Sequence, residues 1–200
     1  MPIITAELPD SHGRKQKCRK RESSEFSRVT THGLWQTVPM LEWTDVRFVD
    51  GLSLRLVASD SGVRAIEFTP AKPVEGHRED SNPLLREAVS QLQAYFDGNL
   101  RRFRLPLDMP GTEFQKSVWR ELGKIPYGET RSYAQIAAAI GTPQAVRAVG
   151  AANGSNPVAI VVPCHRVIGS GGRLTGYGGG LPLKKRLLEL EGAWTMGLKL

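Results

Sequence analysis

The stretch AVRAVGAANGSNPVAIVVPCHRVIGSGG, residues 145–172, decides how we interpret this 200-residue chain. Its first part is a helical segment rich in Ala and Gly, in which Arg147 is the one long projecting side chain. Gly150 inside that helix costs about 1 kcal/mol relative to Ala. Because small residues allow close backbone approach, the segment indicates either tight packing against another helix or insertion into a narrow groove, with Arg147 projecting into it.

The second part of the stretch places a cysteine after an apolar run. Residues 158–162 are apolar, Pro163 ends the run, and Cys164, His165 and Arg166 follow. We predict a short buried strand or core segment, which would hold the cysteine on a rigid support. A neighbouring imidazole and guanidinium would lower the thiol pKa and raise its nucleophilicity. On these residues alone, an inert buried cysteine beside a surface histidine stays open.

Glycine-rich loops and a final helix follow the cysteine. Residues 169–172 and 176–180 form two loops around Tyr177, which predict either a stacking wall for a flat ligand or a pair of loose turns. The last helix, PLKKRLLELEG at 182–192, has a leucine stripe and ends at Glu191. Spacing alone leaves Glu191 open as a surface carboxylate.

Capping boxes upstream of the stretch predict two helices. Residues 112–115 begin one that Gly123 ends, and residues 132–135 begin another that Gly141 ends. Thr142-Pro143 is predicted to start the next helix at once. Two short helices joined at this point are typical of a helix-turn-helix, although short helical hairpins are common.

Residues 44–100 predict a small α+β unit. Asp50-Gly51 between alternating segments is a hairpin signal, and a third strand is expected after the Ser61-Gly62 turn. Asn82-Pro83 then starts a helix whose apolar residues recur at helical spacing until Gly98. Because the unit has no cluster of catalytic residue types, we interpret it as structural.

Composition and charge narrow the function. The net charge is +7, and residues 101–200 hold fourteen Lys and Arg against six Asp and Glu, a net +8. That half predicts a face for a polyanion, although a solvated basic surface stays open. No apolar run approaches the ~20 residues of a membrane helix, no secretory pattern begins the chain, and two cysteines make no disulfide framework. We expect a cytoplasmic protein, not bound to membranes, with a flexible basic tail at 1–40.

Three segments together resemble the O6-alkylguanine-DNA alkyltransferase family, the methylated-DNA–protein-cysteine methyltransferases. They are IPYGETRSYAQIA at 125–137, the stretch at 145–172 with the family signature PCHRV, and TGYGGGLPLKKRLLELEG at 175–192. The resemblance covers residues 85–192 and extends more loosely over 44–84. It implies an α+β fold: a ribonuclease-H-like α/β domain at 41–108, a mostly helical domain with a helix-turn-helix at 109–194, and a tail at 195–200.

The resemblance also implies roles at the reacting centre. Cys164 would be the alkyl acceptor and His165 would take its proton through a bound water. Glu191 would orient His165, and the chain of contacts would lower the thiol pKa. Asn156 would hold the cysteine segment against the small-residue helix.

Other residues would meet the DNA, by the same resemblance. Arg147 would fill the base stack where the extruded base had been. Tyr133 would press on the adjacent phosphate and protonate the leaving guanine. Thr142 and Ser170 would touch the DNA backbone.

The guanine pocket would be lined by Tyr177 and by the carbonyls of Cys164 and Val167. Gly178 stands where the human-type pattern has serine. We therefore expect a backbone amide to face the guanine oxygen there, and a roomier pocket.

The implied activity is direct reversal of DNA damage. The protein would flip O6-alkylguanine, and also O4-alkylthymine, from double-stranded DNA bound through the minor groove, and transfer the alkyl group to Cys164. Because a thioether has no reverse path, each molecule would react once, as a monomer with no metal or other cofactor.

Rival functions stay open. A cysteine hydrolase would need turnover and leaves the small-residue helix unexplained. A non-catalytic alkyltransferase-like protein keeps the DNA-binding parts but typically has tryptophan at the acceptor position, which here is Cys164. A helix-turn-helix regulator lacks a dimerisation signal in this sequence.

Overall fold

The computed structural model describes residues 40–48, 51–68 and 75–194. The tails predicted at 1–40 and 195–200 lie outside the described residues, apart from Met40, and so does Asp50 of the predicted hairpin turn. Among the described helices, none is long and apolar enough to cross a membrane.

A four-stranded sheet occupies the N-terminal half, in the order β3-β2-β1-β4. Its strands are β1 Glu42–Arg47, β2 Ser53–Ser59, β3 Gly62–Phe68 and β4 His77–Arg78. The predicted antiparallel hairpin of β1 and β2 is confirmed, with Gly51 at a φ of +84° in its turn. The predicted third strand pairs antiparallel with β2, whereas the parallel pairing of β4 with β1 had no signal in the sequence.

Helix α1, Pro83–Phe96, packs against this sheet. The predicted start is confirmed, because the Asn82 side chain accepts a hydrogen bond from the Leu85 N–H at 2.9 Å. The chain leaves the helix at Gly98, which adopts a φ of +75°. Leu85, Leu92 and the other apolar residues of the predicted stripe face the core.

The C-terminal half is mostly helical. Its elements are α2 Glu113–Leu122, β5 Arg131–Ser132, α3 Tyr133–Ala139, α4 Val146–Gly154, β6 Val167–Ile168 and α5 Gly180–Leu190. Both predicted capping boxes are confirmed: Gln115 and Gln135 each donate a backbone N–H to the hydroxyl of Thr112 and Ser132 at 3.2 Å. Gly123 and Gly141 lie at the predicted helix ends.

The predicted start of the next helix at Thr142-Pro143 is wrong. The Ala145 N–H donates to the Thr142 carbonyl at 2.8 Å, so residues 142–145 form a separate turn and α4 begins at Val146. Within the described residues, no side chain caps α4. The helices α3 and α4 nevertheless pack on each other across the break at Gly141.

Residues 158–162 form a buried turn. Of the two predicted alternatives for this run, the core segment is confirmed and the buried strand is wrong. The Val162 N–H donates to the Val158 carbonyl at 3.0 Å. Ile160 lies at a φ of +73°, a left-handed conformation that is strained for a β-branched residue. Cys164–Arg166 then forms one turn of 3-10 helix.

One hydrophobic core joins the two halves. It includes Leu56 and Ile66 from the sheet, Leu92 from α1, Val118 from α2 and Val162 beside the cysteine. The sheet also bonds directly to the other half, since the Ile66 N–H donates to the Pro157 carbonyl at 2.9 Å. The two predicted domains therefore share a core, and the boundary between them at residues 108 and 109 stays a prediction.

Candidate active site

Cys164 sits where the buried turn ends, and Asn156 holds that turn at both ends. The Asn156 Nδ2 donates to the Val162 carbonyl at 2.8 Å, and its Oδ1 accepts from the Val158 N–H at 3.1 Å. Between these bonds lies the strained Ile160. The two hydrogen bonds thus hold the backbone that positions Cys164, which is 5% exposed.

Burial raises the pKa of the Cys164 thiol above its ordinary value, so the predicted lowering is wrong for the resting protein. The Asn156 hydrogen bond and the positive charge of Lys184 oppose this effect without overcoming it. His165 and Arg166 point their charge-bearing groups at Glu191 instead. The resting thiol is therefore protonated at neutral pH and must lose its proton during a reaction.

Glu191 is the centre of a buried polar network. The alternative that Glu191 is a surface carboxylate is therefore wrong. Its carboxylate accepts from His165 Nε2 at 2.9 Å, from Arg166 Nε and Nη2 at 2.8 and 2.9 Å, and from the Tyr95 hydroxyl at 2.6 Å. Burial alone would raise the pKa of Glu191, but the hydrogen bonds from His165 and Arg166 lower it to about 2. Glu191 is therefore ionised.

The ionised carboxylate fixes the protonation of His165. Burial lowers the pKa of His165, so the ring is neutral. Because a carboxylate only accepts, Nε2 must carry the hydrogen and Nδ1 must be the acceptor. Nδ1 is buried and has no partner among the described protein groups. The residue next to Cys164 is thus a neutral imidazole whose Nδ1 is a hydrogen-bond acceptor.

Lys184 of α5 is fully buried beside this network. Its ammonium donates to the Val167 carbonyl at 2.5 Å and to the Thr175 carbonyl at 2.9 Å. Burial lowers the pKa of Lys184 to about 8, and a negative charge on Cys164, once the thiol is deprotonated, would oppose that shift. The lysine ties the segment after Cys164 to the loop that leads to Tyr177. The Val167 carbonyl, predicted to face guanine, keeps one lone pair for a second donor.

A cavity of about 40 Å³ lies against Cys164. The predicted residues Asn156, Tyr177 and Gly178 line it, and so do residues that the sequence did not single out: Phe68, Asn153, Gly154, Ala159 and Gly176. The centroid of the Phe68 ring lies 5.5 Å from that of the Tyr177 ring. A Cβ on Gly178 would lie 3.8 Å from the Phe68 ring. That distance is an ordinary contact, so Phe68 lies beside Gly178 without filling its side-chain space, and the roomier pocket expected there stays a prediction.

The predicted DNA contacts lie outside the cavity. Arg147, Thr142 and Ser170 are exposed. Tyr133 is half-buried, its hydroxyl accepts from Thr175 Oγ1 at 3.2 Å, and burial raises its pKa.

The outer face of α4 is made of small residues. Ala148, Ala151 and Gly154 are exposed beside Arg147. A Cβ added to Gly150 would meet only the Tyr133 ring, at 3.9 Å, which is ordinary contact. Packing within the described chain therefore does not explain why the side chains on this face are so small.

The comparisons with known proteins agree with this geometry. A family model described as "6-O-methylguanine DNA methyltransferase, DNA binding domain" matches residues 113–193. A second, described as "6-O-methylguanine DNA methyltransferase, ribonuclease-like domain", matches residues 53–109. The chain belongs to the 6-O-methylguanine DNA methyltransferase family.

Individual members of the methyltransferase family are similar over most of their length. A methylated-DNA–protein-cysteine methyltransferase of Mycobacterium bovis is 64% identical over 131 residues, covering 66% of this chain and 79% of the relative. One of Methanosarcina acetivorans is 51% identical over 141 residues, covering 69% and 90%. The crystal structure of Mycobacterium tuberculosis OGT in complex with DNA matches with a TM-score of 0.71 at 47% identity, covering 76% of this chain and 92% of that one. The predicted family and mixed α+β fold are confirmed.

Sequence reasoning missed several site residues of this methyltransferase. Phe68 and Tyr95 come from the half that we interpreted as structural, and Tyr95 was assigned only to an apolar helix stripe. Arg166 was expected to act on the thiol, and its contact with Glu191 was missed. Nothing in the sequence distinguishes Lys184 from the adjacent Lys185, which is half-exposed. Among the described residues, no group of three His, Cys, Asp or Glu side chains could hold a metal.

Proposed function

We propose that this chain is a methylated-DNA–protein-cysteine methyltransferase whose acceptor is Cys164. The observation that carries the proposal is the neutral His165, held by the ionised Glu191 with a free acceptor nitrogen, directly after a buried cysteine that lines a cavity. That arrangement suits a thiol that is protonated at rest and deprotonated only when substrate arrives.

The reaction balances with this chain's own groups. His165 Nδ1 takes the thiol proton through a bound water, and Glu191 stabilises the imidazolium that forms. The thiolate attacks the alkyl carbon, a carbon–sulfur bond forms, and the bond from carbon to the guanine oxygen breaks. Its electron pair stays on guanine, which takes a proton from Tyr133. Solvent then receives the proton from His165 and restores the one on Tyr133.

The product fixes the stoichiometry. A thioether is not hydrolysed, so each molecule reacts once. This separates the chain from a cysteine hydrolase, whose acyl intermediate would turn over. Cysteine at position 164 separates it from the non-catalytic alkyltransferase-like proteins.

Helix α4 is the proposed DNA-reading element. Its exposed small residues allow the helix to approach the minor groove closely, and Arg147 enters the base stack as the damaged base is flipped. Thr142 and Ser170 contact the backbone on either side. The substrates are O6-alkylguanine and O4-alkylthymine in double-stranded DNA, and the protein acts as a cytoplasmic monomer.

The test compares two substrates for Arg147→Ala. Repair of a methylated duplex should slow far more than reaction with free O6-methylguanine, because the free base needs no flipping. Arg86→Ala is the matched control, since Arg86 is exposed on α1 in the other half, and it should change neither rate. Equal losses on both substrates would assign Arg147 to the pocket or to folding and overturn the flipping role.

A further inference from the structure

Phe68 closes the cavity beside Cys164 from the other half of the chain. The cavity of about 40 Å³ is far smaller than the roughly 300–1,000 Å³ of ordinary ligand pockets. Among the described residues that line it, Phe68 alone belongs to the ribonuclease-like half. The size of the cavity therefore depends on a residue outside the DNA-binding half.

The Phe68 ring packs beside two consecutive glycines, Gly178 and Gly179. A Cβ on Gly178 would lie 3.8 Å from the ring, an ordinary contact, whereas a Cβ on Gly179 would lie 2.6 Å from the Leu183 side chain and 3.1 Å from the ring, both tighter than an ordinary contact. The ring also meets the Tyr177 ring edge-on at 5.5 Å. A side chain at Gly179 would therefore crowd both Leu183 and Phe68, whereas Gly178 and Tyr177 pack against the ring at ordinary distances.

The fold fixes where this ring stands. Phe68 is the last residue of β3 and pairs with Leu54 of β2. Two residues earlier, Ile66 bonds to the Pro157 carbonyl, next to Asn156, which holds the cysteine turn. The strand therefore places the Phe68 ring in a set position relative to Cys164.

We propose that Phe68 determines the size of the alkyl group that the protein accepts. The inference rests on the proposed function, since it assumes that the alkyl carbon reaches the Cys164 sulfur. When that carbon is at the sulfur, the remaining atoms of a larger group must lie in the rest of the cavity. Phe68 bounds that space, so the ring excludes bulky groups and leaves methyl unaffected.

The experiment measures alkyl transfer from two free bases, which removes DNA binding from the comparison. Second-order rate constants for O6-methylguanine and O6-benzylguanine are determined for wild type and Phe68→Ala by intact mass spectrometry. The benzyl-to-methyl ratio should rise about tenfold or more in Phe68→Ala, which corresponds to about 1.4 kcal/mol in relative activation free energy. Phe68→Leu should rise less, and Phe68→Trp should fall below wild type.

The matched control is Phe114→Ala, a partly buried aromatic residue that packs on the core away from the cavity. Its ratio should stay at the wild-type value. An unchanged or lower ratio in Phe68→Ala, with methyl transfer intact, would overturn the role of Phe68 alone. If Phe68→Ala does not fold, the benzyl-to-methyl ratios of the other two variants test the proposal. The ratio should be above wild type in Phe68→Leu and below it in Phe68→Trp, and any other order would overturn the role of Phe68. Absence of methyl transfer in wild type would instead overturn the proposed function, and this inference with it.

Discussion

Replacing Glu191 by Gln should destabilise the protein through its buried charge network. Gln has the same shape, but its amide cannot balance the guanidinium of Arg166, and it turns a donor toward groups that are themselves donors. The drop in the Glu191 pKa from 4.5 to about 2 corresponds to about 3 kcal/mol of stabilisation of the ionised folded state. Leaving one partner of a buried ion pair uncompensated costs a similar amount, about 3–5 kcal/mol. We expect the free energy of unfolding at pH 7 to fall by about 3 kcal/mol.

The pH dependence of the unfolding free energy provides a second test of the role of Glu191. The folded pKa is depressed, so the stabilisation from Glu191 is complete above 4.5 and is lost as the pH falls toward 2. Glu191→Gln has no group to titrate there. The difference in unfolding free energy between wild type and variant should therefore shrink between pH 4.5 and pH 2.

The assay is urea unfolding of both proteins at neutral pH and at several acidic values. Glu189→Gln is the matched control, because Glu189 is exposed two residues before Glu191 at the same helix end, and it should stay within about 0.5 kcal/mol of wild type. Two results would contradict a stabilising role of the ionised Glu191: a Glu191→Gln variant as stable as the control at pH 7, or a difference that does not change on acidification.

Three further predictions concern residues around the site. Tyr95→Phe removes the 2.6 Å hydrogen bond to Glu191 and should cost about 1.5–3 kcal/mol in urea unfolding, with slower alkyl transfer; wild-type stability would contradict the contact. Lys184 should make wild type more stable as the pH rises from about 8 to 10.5, because the unfolded chain binds more protons in that range, and thermal melting of Lys184→Met should lose this rise. Gly150→Ala should raise the unfolding free energy by up to about 1 kcal/mol, since its Cβ meets only Tyr133, and a loss of stability would mean that packing requires the glycine.

Local structure was predictable from sequence wherever a short-range signal determined it. The caps at Asn82, Thr112 and Ser132 and the turn glycine at Gly51 each satisfy or permit a backbone conformation within a few residues. The turn before Cys164 was not predictable in the same way. A β-branched run predicts a strand, and only the tertiary contacts of Asn156 and the surrounding core hold Ile160 at a positive φ.

Long-range contacts account for the rest of the site. Tyr95 and Glu191 are 96 residues apart, so the helical spacing of Tyr95 does not reveal that its hydroxyl donates a hydrogen bond to the Glu191 carboxylate. Lys184 and the half-exposed Lys185 are adjacent in sequence, and only the fold buries the first between two carbonyls. The pKa of Cys164 depends on burial, which outweighs the neighbouring charges that the sequence displays.

The most direct measurement is intact mass spectrometry of the full chain after incubation with excess duplex DNA carrying O6-methylguanine, followed by peptide mapping. We expect each molecule to gain the mass of one methylene, the methyl group to lie on Cys164, and repair to stop at one equivalent. Cys164→Ala should bind the same DNA and gain nothing. A methyl group on Cys18, an unmodified protein, or continued repair beyond one equivalent would contradict the assignment of Cys164 as a single-use acceptor.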